Sequence, residues 1–230
     1  MERGNRTKDR NRTMTLKKKD ILDRIWNYRE LCLSHVYSEP DSQIHQNVMD
    51  HVIPKFVKEH FLDDSYKILD IGCGQGYGME KFSELGCTNI SGLTLSKEDV
   101  KAAKKRGFEV ATEDMSFQSC KDGTYNALFA RHSLEHSPFP LLTLLEFNRI
   151  LADGGITYIE MPSPKCTRLL EQYDNHYSIM GPRQWSALFT RAGFNIKDIG
   201  ELQFDISDNN NGESLGTEVY EWYVLEKPVD

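Results

Sequence analysis

With 230 residues, of which 39% are hydrophobic and 27% charged, the chain can build one sizeable α/β domain and an added helical segment, but not a second full domain. Its formal net charge of -7 argues against a general nucleic-acid surface, and no apolar run reaches membrane-spanning length or forms a signal-peptide core. The cysteines, Cys32, Cys73, Cys87, Cys120 and Cys166, are odd in number and lack a C-x-x-C pair, which points to reduced thiols in a cytoplasmic protein.

Residues 1–19 carry Arg3, Arg6, Lys8, Arg10, Arg12 and the run Lys17, Lys18, Lys19 with almost nothing apolar, the composition of a disordered basic tail. From Asp20 the pattern changes. Ile21, Leu22, Ile25, Trp26 and Leu33, then Val48, Val52, Ile53, Phe56 and Val57, recur near helical spacing and predict an N-terminal helical segment over residues 20–64.

The stretch Lys67 to Gly78, K-I-L-D-I-G-C-G-Q-G-Y-G, reads as a strand, a ligand loop and a helix start. Ile68, Leu69 and Ile71 suit a strand buried on both faces, and Gly72, Gly74 and Gly76 let a ligand approach the backbone. A dinucleotide loop beginning at Gly72 needs glycine at position 77, where Tyr77 stands, and no Gly-Lys-Ser/Thr follows for a triphosphate. Asp70, just before the loop, repels a pyrophosphate but suits ammonium and sulfonium charges, as in S-adenosylmethionine. The string resembles the first motif of the class I methyltransferases, D-x-G-x-G-x-G, matched by Asp70, Gly72, Gly74 and Gly76 with Cys73 between them.

Strands are predicted at Lys67–Ile71, Asn89–Leu93, Phe108–Ala111, Tyr125–Ala130 and Gly155–Glu160, with helices near Tyr77–Leu85, Lys97–Arg106 and Leu141–Leu151. This alternation predicts a doubly wound parallel sheet. Asn195–Phe204 and Val219–Glu226, joined by the polar connection Asp205–Gly216, fit a closing antiparallel hairpin. The fold class expected is therefore α/β, a doubly wound, seven-stranded, mostly parallel Rossmann-like sheet preceded by N-terminal helices, with the methyltransferase domain over residues 65–230.

In such a sheet the strand ends carry the chemistry. The resemblance implies that Thr94, standing where most class I methyltransferases have an acid, contacts the cofactor ribose with Leu95; the local G-L-T-L-S resembles cyclopropane and mycolic-acid synthases. It implies also that Asp114 bonds the adenine amino group and Met115 packs on the ring, although Asp114 equally suits a helix N-cap. After the fourth strand comes A-R-H-S-L-E-H-S-P, which resembles the L-E-H-x-P string of small-molecule methyltransferases. On that resemblance Ala130 and Arg131 lie along the cofactor and Glu135 faces the acceptor. Imidazole titrates near neutrality, so His136 or His132 can take a proton from an acceptor hydroxyl, while a histidine that only ties the loop together is the rival reading.

Some ubiquinone-type O-methyltransferases and small-RNA 2′-O-methyltransferases carry E-x-x-E-H here and hold a divalent metal; this chain has His132 in the first position, with His176 a distant further ligand, and the expectation is no metal. Tyr173, His176 and Tyr177 belong to an aromatic and polar loop and are candidate acceptor contacts; Trp185 is expected in the core, with Gly193 ending a helix before core residue Phe194. The sequence thus reads as a methyltransferase using S-adenosyl-L-methionine as cofactor, with a small-molecule methyl acceptor on oxygen or nitrogen rather than nucleic acid or a membrane. A non-catalytic cofactor-binding module, a macromolecular acceptor and a dinucleotide oxidoreductase are the alternatives, the last opposed by Tyr77.

Overall fold

The computed structural model describes residues 16–36, 38, 42–60, 62–166, 174–207 and 214–229. Two compact units divide the chain, Met1–His35 and Val36–Asp230. The first contains helix α1, Lys18–Leu33, which begins inside the stretch expected to be a disordered tail. Asp20 supplies its N-terminal cap by accepting from the Lys17 backbone N–H at 3.2 Å. None of its residues is buried, and Ile21, Leu22, Ile25 and Trp26 are exposed, so its helical stripe does not serve core packing as expected.

The second unit is built on a seven-stranded sheet of order β3-β2-β1-β4-β5-β7-β6. Its strands are β1 (Ile68–Ile71), β2 (Ile90–Leu93), β3 (Glu109–Ala111), β4 (Tyr125–Arg131), β5 (Leu151–Pro162), β6 (Asn195–Ser207) and β7 (Ser214–Glu226). The first five pair in parallel and β7 pairs antiparallel to both β5 and β6, the expected doubly wound sheet with a closing hairpin. The hairpin is longer than predicted. Asp205 and Gly216 were expected to bound the connection, yet Asp205–Ser207 and Ser214–Gly216 are paired, with the Thr217 hydroxyl donating to Asp205 Oδ1 at 2.9 Å. A cross-strand polar pair holds the ribbon together where no apolar pattern marked it. Strand β5 also outruns its predicted bounds at both ends, because Leu151 already pairs with Tyr125 across an irregularity in register, and Met161 and Pro162 pair with Glu221 and Tyr220 of β7.

Side-chain alternation along β1 and β4 divides the interior into two cores. Leu69, Ile71, Leu128 and Ala130 face one side and pack with α5 (Pro140–Ile150) and α6 (Pro182–Arg191), where Trp185 and Phe189 are fully buried. Ile68, Ala127 and Phe129 face the other and meet α2 (Gln43–Glu59) and α3 (Tyr77–Glu84). Helix α2 is capped by Ser42, whose hydroxyl accepts from the His45 N–H, and buries Val48, Val52, Ile53, Phe56 and Val57. Phe56 rests against Phe82, Phe129 and Tyr158, so Phe56→Ala should cost about 3–5 kcal/mol. Helix α4 (Lys97–Lys105) covers the far end beside β3. Gly193, at φ +91, ends α6 as expected and Phe194 is buried.

Candidate active site

The register places Asp70 beside Phe129 on neighbouring parallel strands, so Asp70, Phe129 and Arg131 share the α2 face of the sheet. A cavity opens there at the carboxyl ends of β1 and β4. Asp70, Gly72, Cys73, Gly74, Gln75, Tyr77 and Gly78 line it from the loop, Arg131 and His132 from β4, and His45, Gln46 and Met49 from α2. Gly74, at φ +49, has nothing within 4 Å of the position its Cβ would take, so the backbone is open to a ligand. Gly76 instead caps α3 and packs against Ala103. Burial pushes the Asp70 carboxyl up to about 7, against the opposing pull of Arg131.

The other expected cofactor residues lie outside this cavity's lining. Ala130 is fully buried among the residues of the opposite core, so only its backbone can meet a cofactor here. The Thr94 side-chain oxygen accepts from the Ser96 N–H at 3.2 Å, building the turn into α4, with its hydroxyl hydrogen still available for a ribose oxygen. Leu95 is half-buried beside it. Asp114 caps no helix; its Oδ1 accepts from the Ser116 N–H at 2.8 Å in a local turn, and Met115 packs against the core.

His132 has φ +48, a left-handed conformation that costs a non-glycine residue on the order of 1 kcal/mol and draws attention at a candidate site. Its backbone N–H donates to the Glu160 carbonyl at 2.8 Å, and its ring lies 3.4 Å from Glu135 Oε1 and 3.6 Å from Glu160 Oε1. Burial and Arg131 push its pKa down, but the two carboxylates outweigh them and hold it above the ordinary value. Glu160 is itself held at about 2: burial pushes it up, and Arg131, at 2.6 Å, with His132 and the Tyr158 hydroxyl, pull it further down. His132 is therefore a member of a buried ion network, with its ring edge against Tyr220 at a centroid distance of 4.4 Å.

His136 follows on the short 3₁₀ turn Leu134–His136. The segment that starts at Asp174 folds over this turn, with the Ser178 N–H donating to the Glu135 carbonyl and the Ser178 hydroxyl to the Ser137 carbonyl. His176 is thereby brought against His136 at a ring distance of 4.9 Å, while Tyr177 is largely exposed and Tyr173 lies outside the described residues. One ligand atom each from Glu135, His136 and His176 lies within 4.8 Å of the others, and both Glu135 carboxylate oxygens are buried without a hydrogen-bond partner. This donor set suits a divalent transition metal, supplied by the turn and the folded-over loop; His132 stands outside the set, with its Nδ1 3.4 Å from Glu135 Oε1 and its Nε2 3.6 Å from Glu160.

Glu160, His45 and Tyr220 are site residues that sequence reasoning missed. Glu160 could have been found, since it ends a strand at the carboxyl edge; His45 and Tyr220 carry no local signal.

The family described as a methyltransferase domain matches residues 42–199, more than half of the chain. The chain belongs to that family. This methyltransferase is 26% identical over 174 residues to a ubiquinone biosynthesis O-methyltransferase of Xanthomonas oryzae pv. oryzae, covering 66% of the chain and 72% of the relative. A Bacillus halodurans protein provisionally assigned as a methyltransferase superposes with a TM-score of 0.68 at 15% identity, over 78% of this chain and 100% of the other. An S-adenosylmethionine-dependent methyltransferase of Archaeoglobus fulgidus superposes at 0.58 with 17% identity, over 77% and 94%. These likenesses bear out the doubly wound methyltransferase fold read from the sequence. Among the described residues no helix is long and apolar enough to cross a membrane.

Proposed function

We propose that this methyltransferase moves a methyl group from S-adenosyl-L-methionine to a hydroxyl oxygen of a small-molecule acceptor. The observation that carries the reading is the cavity lined by Asp70, Gly74, Arg131 and His132, with His132 leading into the turn on which His136 meets His176. The name of the Xanthomonas relative favours oxygen over nitrogen. Asp70, Gly72, Cys73, Gly74, Gly76 and Arg131 would hold the amino-acid end, Thr94 and Leu95 the ribose, and Asp114 and Met115 the adenine.

The cofactor supplies an electrophilic methyl group on sulfonium. The chain supplies alignment and a proton acceptor. His136 Nδ1 lies 3.1 Å from the Asn175 carbonyl, which can only accept, so Nδ1 carries the proton and the neutral ring has its lone pair on Nε2. That nitrogen takes the acceptor's proton as its oxygen attacks. Glu135 and His176 would face the acceptor, with Tyr177 at the rim.

Methyl-labelled S-adenosylmethionine, offered with a panel of phenols, catechols and amines, tests the reading. The expected product is a labelled methyl ether. Transfer to amines alone overturns the choice of oxygen, and intact binding of S-adenosylhomocysteine with no transfer to any acceptor supports the non-catalytic module instead.

A further inference from the structure

Helix α1 carries an apolar face that serves no core. Ile21, Leu22, Ile25, Trp26 and Tyr28 are all exposed, Trp26 by 60%, and at 3.6 residues per turn they fall within one arc of about 160°. A contiguous apolar stripe left in water marks an interaction surface. Charge is divided about the same arc. Lys18 and Arg29 fall within it and Lys19 and Arg24 at its two margins, whereas Asp20 and Asp23 stand on the opposite side. Glu30 lies between the two sides and is paired with Arg29 at 3.0 Å, and the Arg29 guanidinium sits over the Trp26 ring at 5.4 Å. The division repeats along the chain: residues 1–19 hold eight Lys and Arg against two acids, and residues 20–230 hold twenty against thirty-three.

We propose that α1, with the basic residues that precede it, docks the protein on an anionic lipid surface. The helix lies in the plane of the headgroups, with Ile21, Leu22, Ile25 and Trp26 turned to the acyl chains and the Lys and Arg side chains reaching the lipid phosphates. Apolar burial and attraction to anionic lipid add in such a helix, and the acids on its far side stay in water. The expectation of no membrane partner followed from the lack of a spanning run, which a helix lying in the interface does not need. Charge separates this occupant from the others. Pairing with the same stripe of a second copy would set Lys19, Arg24 and two basic stretches against one another, like against like. A nucleic acid would meet the bases and leave Ile25 and Trp26 in water.

Flotation of the full chain with vesicles of phosphatidylcholine, alone or with about one third phosphatidylglycerol, tests the proposal. Binding is expected to the mixed vesicles only, weakened by added salt, with a blue shift of tryptophan emission that Trp26→Phe removes. Ile21→Gln with Ile25→Gln should weaken the partition about 10- to 100-fold, and Lys17→Gln with Lys18→Gln and Lys19→Gln by a similar factor. None of the α1 side chains is buried, so the melting temperature and the binding of S-adenosylhomocysteine should stay as in the wild type. Equal binding to neutral vesicles, binding to neither, or a wild-type partition in the isoleucine variant would overturn the proposal. A dimer in light scattering that the isoleucine variant dissociates, without vesicle binding, would assign the stripe to a second copy instead. A single-stranded RNA held by the wild type and the isoleucine variant but not by the lysine variant, again without vesicle binding, would assign the basic residues to nucleic acid.

Discussion

Gly72 and Ser133 tie the glycine loop to the loop after β4: a Cβ on Gly72 would come within 2.9 Å of Ser133 Cβ, and the Ser133 hydroxyl donates to the Ile71 carbonyl at 2.8 Å. The turn that carries His136 is thus seated against the backbone that would hold the cofactor.

Substitutions at two glycines separate the consequences. Gly74→Val puts a side chain into the open cavity and forces a β-branched residue to φ +49. It should abolish calorimetric binding of S-adenosylhomocysteine and lower the melting temperature by several degrees, while Gly74→Ala should lose binding with a smaller fall. Gly72→Ala has space only by moving Ser133, so binding and turnover should fall together. Tight binding retained by Gly74→Val would show that the ligand does not approach this loop.

The raised Asp70 carboxyl gives a pH signature. In the ligand-free protein it keeps its proton up to about 7, and an arriving ammonium favours the carboxylate. Affinity for S-adenosylhomocysteine should therefore rise with pH through that value, with proton release on binding, and Asp70→Asn should abolish the dependence. Stability runs the other way: a carboxyl held above its unfolded value stabilises the fold at low pH, and the contribution is lost as pH climbs from about 4 through about 7. A flat titration of affinity would remove Asp70 from the ligand.

For His136, the expected outcome of His136→Ala is a turnover lowered by about 10²- to 10⁴-fold with cofactor affinity nearly unchanged. Steady-state kinetics beside calorimetry separates the two effects. Unchanged turnover would leave the residue as a tie to Asn175, with alignment and exclusion of water carrying catalysis.

Chelation decides the standing of the Glu135, His136 and His176 cluster. Activity should survive exhaustive treatment with a chelator, because the imidazole lone pair suffices for the proton. A rate lost on chelation and restored by manganese, cobalt or zinc would make these residues metal ligands.

Thr94→Val should weaken S-adenosylhomocysteine only several-fold, the size of one neutral hydrogen bond of about 0.5–1.5 kcal/mol. Its stability should drop as well, through loss of the acceptor for the Ser96 N–H. A lower melting temperature with an untouched dissociation constant would confine Thr94 to the turn.

The order of strands, the glycine loop and the L-E-H turn were legible because each depends on local chemistry: apolar runs that must be buried, glycines where the backbone bends, and residues placed at strand ends. Trp185 and Phe194 were read correctly as core for the same reason. The extended β6–β7 ribbon was not, since Asp205 and Thr217 stabilise it only once brought side by side, and the exposed apolar stripe of α1 has the same spacing as a packed one. Within the site, sequence named His132, Glu135, His136 and Arg131 as a string, and only tertiary structure divided their work. Pairing of β4 with β5 carries Arg131 and His132 to Glu160, while the loop returning after β5 carries His176 to Glu135 and His136. His45 reaches Arg131 from α2, 86 residues away along the chain. Residue type sets which partners a side chain can accept; the packing of distant strands and helices decides which of them it meets, because a buried charge takes whatever partner the fold places within reach.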